Sequence, residues 1–131
     1  MKFDVYGIGN SLVDVQTQVT DDILAQTGFA KGIMTLVDDQ QQQALLQSID
    51  GLPLNRCAGG SAANTIAGLA SLGATTAFIG KVHDDHLGAI FRHDIRALGV
   101  AFETLLATGG AGTARCLIFV TADAQRTMQT Y

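Results

Sequence analysis

A chain of 131 residues with 47% hydrophobic side chains can bury one core, and 15 glycines against a single proline suit a tightly turned α/β protein better than a disordered chain. Eight basic and 12 acidic residues leave a net charge of −4 with no basic cluster, which argues against a nucleic-acid or anionic-membrane surface. No run approaches the ~20 apolar residues that span a bilayer, and the N-terminus enters a strand without a basic or apolar leader; Cys57 and Cys116 have no metal-ligand spacing, so we expect a cytoplasmic protein with buried thiols and no metal site.

Taken in chain order, residues 2–8 read as a strand ending at Gly9. From Val13 to Thr20 apolar and polar residues alternate, the period of a half-exposed strand, and residues 33–37 read as its partner. Asp38 or Asp39 caps a helix reaching about residue 50, with Leu45, Leu46 and Ile49 inward, Gly51 as the stop and Gln40 to Gln43 on a solvated face. A helix over about 62–72, a strand over 75–79 and a helix over 85–98 follow. The last carries Leu87, Ile90, Phe91, Ile95 and Leu98 at helical spacing. Strands alternating with helices predict a Rossmann-like parallel sheet flanked by helices. After Gly99 only strands are expected, over 100–106, 115–121 and 127–131. With those at 14–20 and 33–37 they would form a small, separate antiparallel sheet.

Several polar residues stand out against this frame. Gly59 and Gly60 open the helix at 62–72, where the missing Cβ lets the backbone approach a ligand and the helix N-terminus offers unpaired N–H donors. Asn64 sits among Ala62, Ala63, Ile66 and Ala67, an awkward place for an amide without a partner. Asp14 follows the first strand at its C-terminal edge, where open α/β sheets bind ligands; without the motifs around it, the reading as a loop Asp capping a turn is the favoured one. Asn10, next to Gly9, has the same two readings.

The run Ala58-Gly59-Gly60-Ser61-Ala62-Ala63-Asn64, with Gly73 and then Thr76-Ala77-Phe78-Ile79-Gly80, resembles the first signature of the ribokinase-like (PfkB) family of carbohydrate and nucleoside kinases. Four more segments fit in order. Residues 7–14 are similar to the family's first strand and substrate-binding acid, 80–88 to its G-x-V-G-x-D-x-x-G, and 113–121 to its T-G-T strand. Gln125-Arg126-Thr127-Met128 is similar to the E-R-T-[ML] segment of adenosine-kinase-like members. His83 replaces a family glycine, which puts that turn in doubt, since His at positive φ is uncommon. Asp85 and Gly88 would cap and pack the next helix.

The resemblance implies that residues 1–131 form the N-terminal part of a ribokinase-like domain, incomplete at its C-terminus, with lid strands at approximately 14–37 and 100–131. It implies ATP-dependent phosphorylation of a primary hydroxyl on a sugar or a nucleoside such as adenosine. Asp14, Gly59, Gly60, Asn64 and Asn10 would hold the acceptor. Arg126 would contact the transferring phosphate, or it is a solvent-facing strand arginine. The catalytic base, with the ATP and Mg²⁺ sites, would lie in a missing C-terminal part. Gly109-Gly110-Ala111-Gly112-Thr113 does not replace it: Thr stands where the family's Asp must be, and a strand follows. The chain alone is therefore expected to be inactive. Two other classes stay open: a non-catalytic sugar- or nucleoside-binding module, and an interaction domain that forms a homodimer through the lid sheet.

Overall fold

The computed structural model describes residues 2–131. In chain order its elements are β1 (Val5–Ile8), β2 (Leu12–Gln18), α1 (Asp21–Thr27), β3 (Met34–Leu36), α2 (Asp39–Ser48), β4 (Asn55–Gly59), α3 (Ser61–Ser71), β5 (Thr76–Ile79), α4 (His86–Ala97), β6 (Ala114–Val120) and β7 (Arg126–Thr130). They divide into two compact units, the first made of residues up to Val13 with 57–114, the second of 14–56 with 115–131.

Three helices begin at side-chain caps. Thr20 accepts from the Ile23 N–H at 3.2 Å to start α1, and Asp85 from the Gly88 N–H at 2.7 Å to start α4. Asp38 and Gln41 exchange bonds at 2.7 and 2.9 Å, a capping box at the head of α2.

In the first unit β1 and β5 pair in parallel, Val5 opposite Thr76 and Ile8 opposite Ile79. The helix α3 packs on both strands. It comes so close that a Cβ on Gly7 would lie 2.3 Å from Ile66, and one on Gly9 2.7 Å from Ala62. Phe78 of β5 meets Phe91 of α4 and Phe102, with ring centroids 6.0 and 6.2 Å apart. Fully buried, these three rings form the centre of the unit, and such pairs are worth about 0.5–1.5 kcal/mol each beyond area burial.

In the second unit the strand order is β3-β7-β6-β2-β4, with β2 and β4 the strands on which the chain crosses from one unit to the other. The hairpin β6–β7 is antiparallel, pairing Cys116 with Thr130 and Val120 with Arg126. The strand β3 joins β7 in parallel. The sheet is thus mixed, and the expected antiparallel arrangement holds for the hairpin but not for β3.

Other expectations also change. Residues 100–106 form no strand; Ala101 and Ala107 make isolated parallel bridges to Ala77 and His83, beside β5 in the first unit. The apolar alternation of Val100 and Phe102 that suggests a strand reflects burial in that unit's core. Neither α1 nor β4 was anticipated. Of the two thiols, Cys116 is buried but Cys57 is exposed on β4. Of the four glutamines, Gln42 is fully buried, because its amide donates to the carbonyls of Arg115 at 3.0 Å and Gln129 at 3.2 Å and accepts from the Arg115 guanidinium.

That network predicts a contrast within one polar run. Gln42→Leu should cost about 1–2 kcal/mol in urea unfolding, because three hydrogen bonds vanish and the Arg115 guanidinium loses an acceptor. Gln40→Leu, on the exposed face, should stay within about 0.5 kcal/mol.

Candidate functional site

In the first unit the structure brings Asn10, Gly59, Gly60 and Asn64 together around the start of α3. Gly60 is the residue before the helix, at φ 106° and ψ 137°, and no side chain caps the N–H groups that follow. Only glycine adopts that backbone readily, and a Cβ there would also lie 2.7 Å from the Asn10 carbonyl oxygen. The first turn closes through the Asn64 N–H, which donates to Gly60 O at 2.8 Å. The Asn64 side chain is exposed on that turn, not buried as the flanking alanines suggested, so no packing penalty demands a partner for it. What the group offers is a set of donors: backbone N–H groups at a positive helix end and a side-chain amide beside them.

In the second unit Asp14 and Arg126 interact. Asp14 is half-buried on β2, where burial pushes its carboxyl above the ordinary value; the Arg126 charge offsets part of that rise. Along β2, Val13, Val15 and Thr17 are buried while Gln16 and Gln18 are exposed, so Asp14 lies on the face opposite the buried side chains. Arg126, opposite Val120, starts β7, and the same alternation sets Arg126, Met128 and Thr130 opposite to the buried Thr127 and Gln129. Register places Ile118 and Met34 beside Met128, and Leu36 beside Thr130. Met34 and Leu36 are 51% and 75% exposed. That face therefore carries a carboxylate and a guanidinium, with exposed apolar side chains at its β3 edge and a buried centre at Ile118.

Asp85 is structural, as expected. Its carboxylate accepts from the Gly88 N–H at 2.7 Å, the Thr113 N–H at 2.8 Å and the Thr113 hydroxyl at 2.8 Å. Burial alone would raise its pKa, but these bonds together hold it below the ordinary value. A Cβ on Gly88 would come within 2.0 Å of the His83 carbonyl oxygen, the tight packing anticipated there. His83 fits the turn without positive φ. The Gly109–Thr113 run is tied to Asp85 through Thr113 and leads into β6, so no helix dipole stands behind it. Among the described residues no three His, Cys, Asp or Glu side chains gather as a metal site, and no helix is long and apolar enough to cross a membrane.

The sequence model of the pfkB family of carbohydrate kinases matches residues 29–131. Adenosine kinase from Sinorhizobium meliloti is 46% identical, with a TM-score of 0.89; the match covers 100% of this chain and 39% of that one. A probable sugar kinase from Rhizobium etli CFN 42 is 44% identical, with a TM-score of 0.87 over 98% of this chain and 38% of its own. Fructokinase from Escherichia coli is 45% identical over 56 residues, 43% of this chain and 18% of that protein. The chain thus spans less than two fifths of each of these relatives.

The raised Asp14 pKa has a consequence for stability. A folded carboxyl that holds its proton more tightly than the unfolded one makes folding less favourable as pH rises from the ordinary carboxylate value of 3.8 through the raised folded value. Asp14→Asn lacks that penalty. Its thermal midpoint should equal or exceed that of the wild-type chain at pH 7, with the difference closing as pH falls toward 4. A variant less stable at pH 7 would show that Asp14 is held by partners that favour its charge.

Proposed function

The chain belongs to the pfkB family of carbohydrate kinases, and on that premise we propose that it is the acceptor-binding and lid part of an enzyme that transfers the γ-phosphate of ATP to a primary hydroxyl of a sugar or nucleoside. The observation that carries the reading is the half-buried Asp14, left with only partial charge compensation from Arg126. A carboxylate kept short of partners is a strong acceptor for hydroxyl donors. In this reading Asp14 of the second unit accepts from two acceptor hydroxyls, and in the first unit the Gly59–Gly60 backbone and the Asn64 and Asn10 amides are candidate donors to a sugar or nucleoside. Positioning of the reacting hydroxyl supplies most of the gain. Arg126 is assigned to the transferring phosphate, which suits its planar set of donors.

The acceptor favoured is a nucleoside of the adenosine type. The exposed Met34 and its register partner Met128, on the strand face that carries Arg126, offer an apolar surface to a base, which a bare sugar would leave wetted. Thr113 stands where the family's Asp is expected and a strand, not a helix, follows it, so Gly109–Thr113 is not assigned to ATP or Mg²⁺. Their binding, and the general base, are assigned to the remaining part of a longer, cytoplasmic protein. A second reading has its own support: Ile33, Met34 and Leu36 are exposed on the edge strand β3 or beside it, a surface on which two copies could associate.

In the full-length enzyme Asp14→Asn should lower kcat/KM by about 1.5–3 kcal/mol per lost charge-assisted bond, with the fold retained; a near-wild-type value removes Asp14 from the site. Arg126→Ala should depress kcat more than it raises the acceptor KM, and a change in KM alone would move Arg126 to the acceptor pocket. The 131-residue chain by itself should release no ADP in a coupled assay with adenosine or sugars. Turnover abolished by Asp14→Asn would instead place the base among these residues.

A further inference from the structure

Most carboxylates of the chain are held in place. Asp38 and Asp85 cap helices, Asp94 accepts from the Ala58 N–H at 2.9 Å, and Asp21 and Asp123 share Lys31. Asp50 differs. It is exposed, and among the described residues its side chain has neither a hydrogen-bond partner nor an ion pair. Asp22 and Asp84 are as free, but the backbone nitrogen that follows each is engaged. The Ile23 N–H donates to the Thr20 hydroxyl at 3.2 Å, and the Asp85 N–H to the His83 carbonyl at 2.9 Å. After Asp50 comes Gly51, the one Asp–Gly step in the sequence. The Gly51 N–H has no acceptor among the described residues. A Cβ built on Gly51 would meet nothing within 4 Å, so the space beside it is open, and glycine itself brings no side chain to hinder attack by its nitrogen.

Both residues lie in the exposed turn that ends α2, closed by the Leu52 N–H on the Ile49 carbonyl at 3.1 Å. We propose that Asp50–Gly51 is a site of intrinsic covalent modification, where the Asp50 carboxyl condenses with the Gly51 nitrogen to a succinimide that reopens to isoaspartate. The nitrogen attacks the side-chain carboxyl carbon and a C–N bond forms. The carboxyl hydroxyl and the amide proton leave together as water. A water molecule then adds to one of the two ring carbonyls and breaks the C–N bond there. Breaking the bond to the side-chain carbon restores aspartate. Breaking the bond to the main-chain carbon moves the peptide link onto the side chain. Nothing is oxidised or reduced, and the water lost equals the water regained, so the reaction needs no co-reactant beyond solvent. The isoaspartyl link adds one methylene to the main chain inside the turn. Just beyond it the Thr17 hydroxyl holds the Pro53 carbonyl at 2.8 Å, so the extra length is taken up by opening the Ile49–Leu52 bond. The inference is independent of Asp14 and of the acceptor.

The test keeps the purified 131-residue chain at physiological temperature in heavy-oxygen water and follows each aspartyl peptide by mass spectrometry, with electron-transfer fragmentation to tell isoaspartate from aspartate. Isoaspartate and an incorporated heavy oxygen should accumulate at Asp50 and not at Asp22 or Asp84. The rate in the folded chain should lie within about tenfold of the rate in urea, because a single exposed turn bond shifts an opening equilibrium by no more than that. Asp50→Glu, an exposed change that leaves the fold intact, should abolish the product, since a glutamyl side chain must close a larger ring. Two results overturn the proposal: no isoaspartate at Asp50 in the folded chain, or a folded-chain rate lower than in urea by more than about tenfold, which would mean that the turn shields the pair. Equal isoaspartate at Asp22 or Asp84 also overturns it, because the free Gly51 nitrogen would then not be what selects the site. In the isoaspartyl fraction the Leu52 amide should exchange its hydrogen faster than in the fresh chain. Unchanged exchange there overturns the opening of the turn.

Discussion

The close approach of α3 to β1 is the constraint on which the first unit depends. It exists only because three positions lack a side chain: Gly7 and Gly9 beneath Ile66 and Ala62, and Gly60 against the Asn10 carbonyl. That approach fixes where the helix begins and sets its uncapped N–H groups beside Asn10 and Asn64. The contrast with the other helices is informative. Thr20, Asp38 and Asp85 each cap a helix with a side-chain oxygen, a bond whose loss costs about 0.5–2 kcal/mol. Of the four helices described, only α3 forgoes it, and its start is where the acceptor donors are proposed to lie.

The second unit shows the same division between groups that hold the fold and groups held ready. Lys31 lies 2.7 Å from both Asp21 and Asp123, tying the head of α1 to the β6–β7 turn. The hydrogen bond from Lys31 is the main reason that the Asp123 carboxyl is lowered to about 2. This clamp therefore persists above the ordinary carboxylate range and loosens only as pH falls toward 2. The buried amide of Gln42 joins α2 to β6 and β7. Asp14 has the opposite character, its pKa pushed up by burial and only partly offset by the Arg126 charge. If Asp14 is the acceptor ligand proposed for it, the burial that disfavours its charged form is a cost to the fold, the usual exchange between stability and activity.

The parts of this architecture legible in the sequence are those with local signals. The capped helices α2 and α4 and the glycine-led α3 could be placed from their caps and apolar spacing, as could the hairpin strands β6 and β7. The family assignment followed from spaced glycines and polar residues, which no secondary-structure pattern requires. The helix α1 had its signals too, with Thr20, Asp21 and Asp22 at its head and Gly28 in the left-handed region at its end. Two turns are too short for a periodicity to outweigh the strand pattern before them. Residues 100–106 failed for the reverse reason: Val100 and Phe102 alternate like a strand, while their neighbours find only two bridges. Gln42 looked like its exposed neighbours because its partners, the carbonyls of residues 115 and 129, lie 73 and 87 positions away. The direction of β3 and the charge environment of Asp14 depend on pairings of the same long range, invisible in any local window.

The central claim is that Asp14 awaits hydroxyl donors, and its carboxyl carbon can report on that by NMR. In the chain alone the Asp14 resonance should titrate above the ordinary carboxylate value. Saturating adenosine should shift the signal and lower its pKa, because hydrogen bonds donated by the acceptor hydroxyls favour the charged form. Adenosine that binds while the Asp14 titration stays unchanged would contradict the account, as would an Asp14 that titrates at the ordinary value in the free chain.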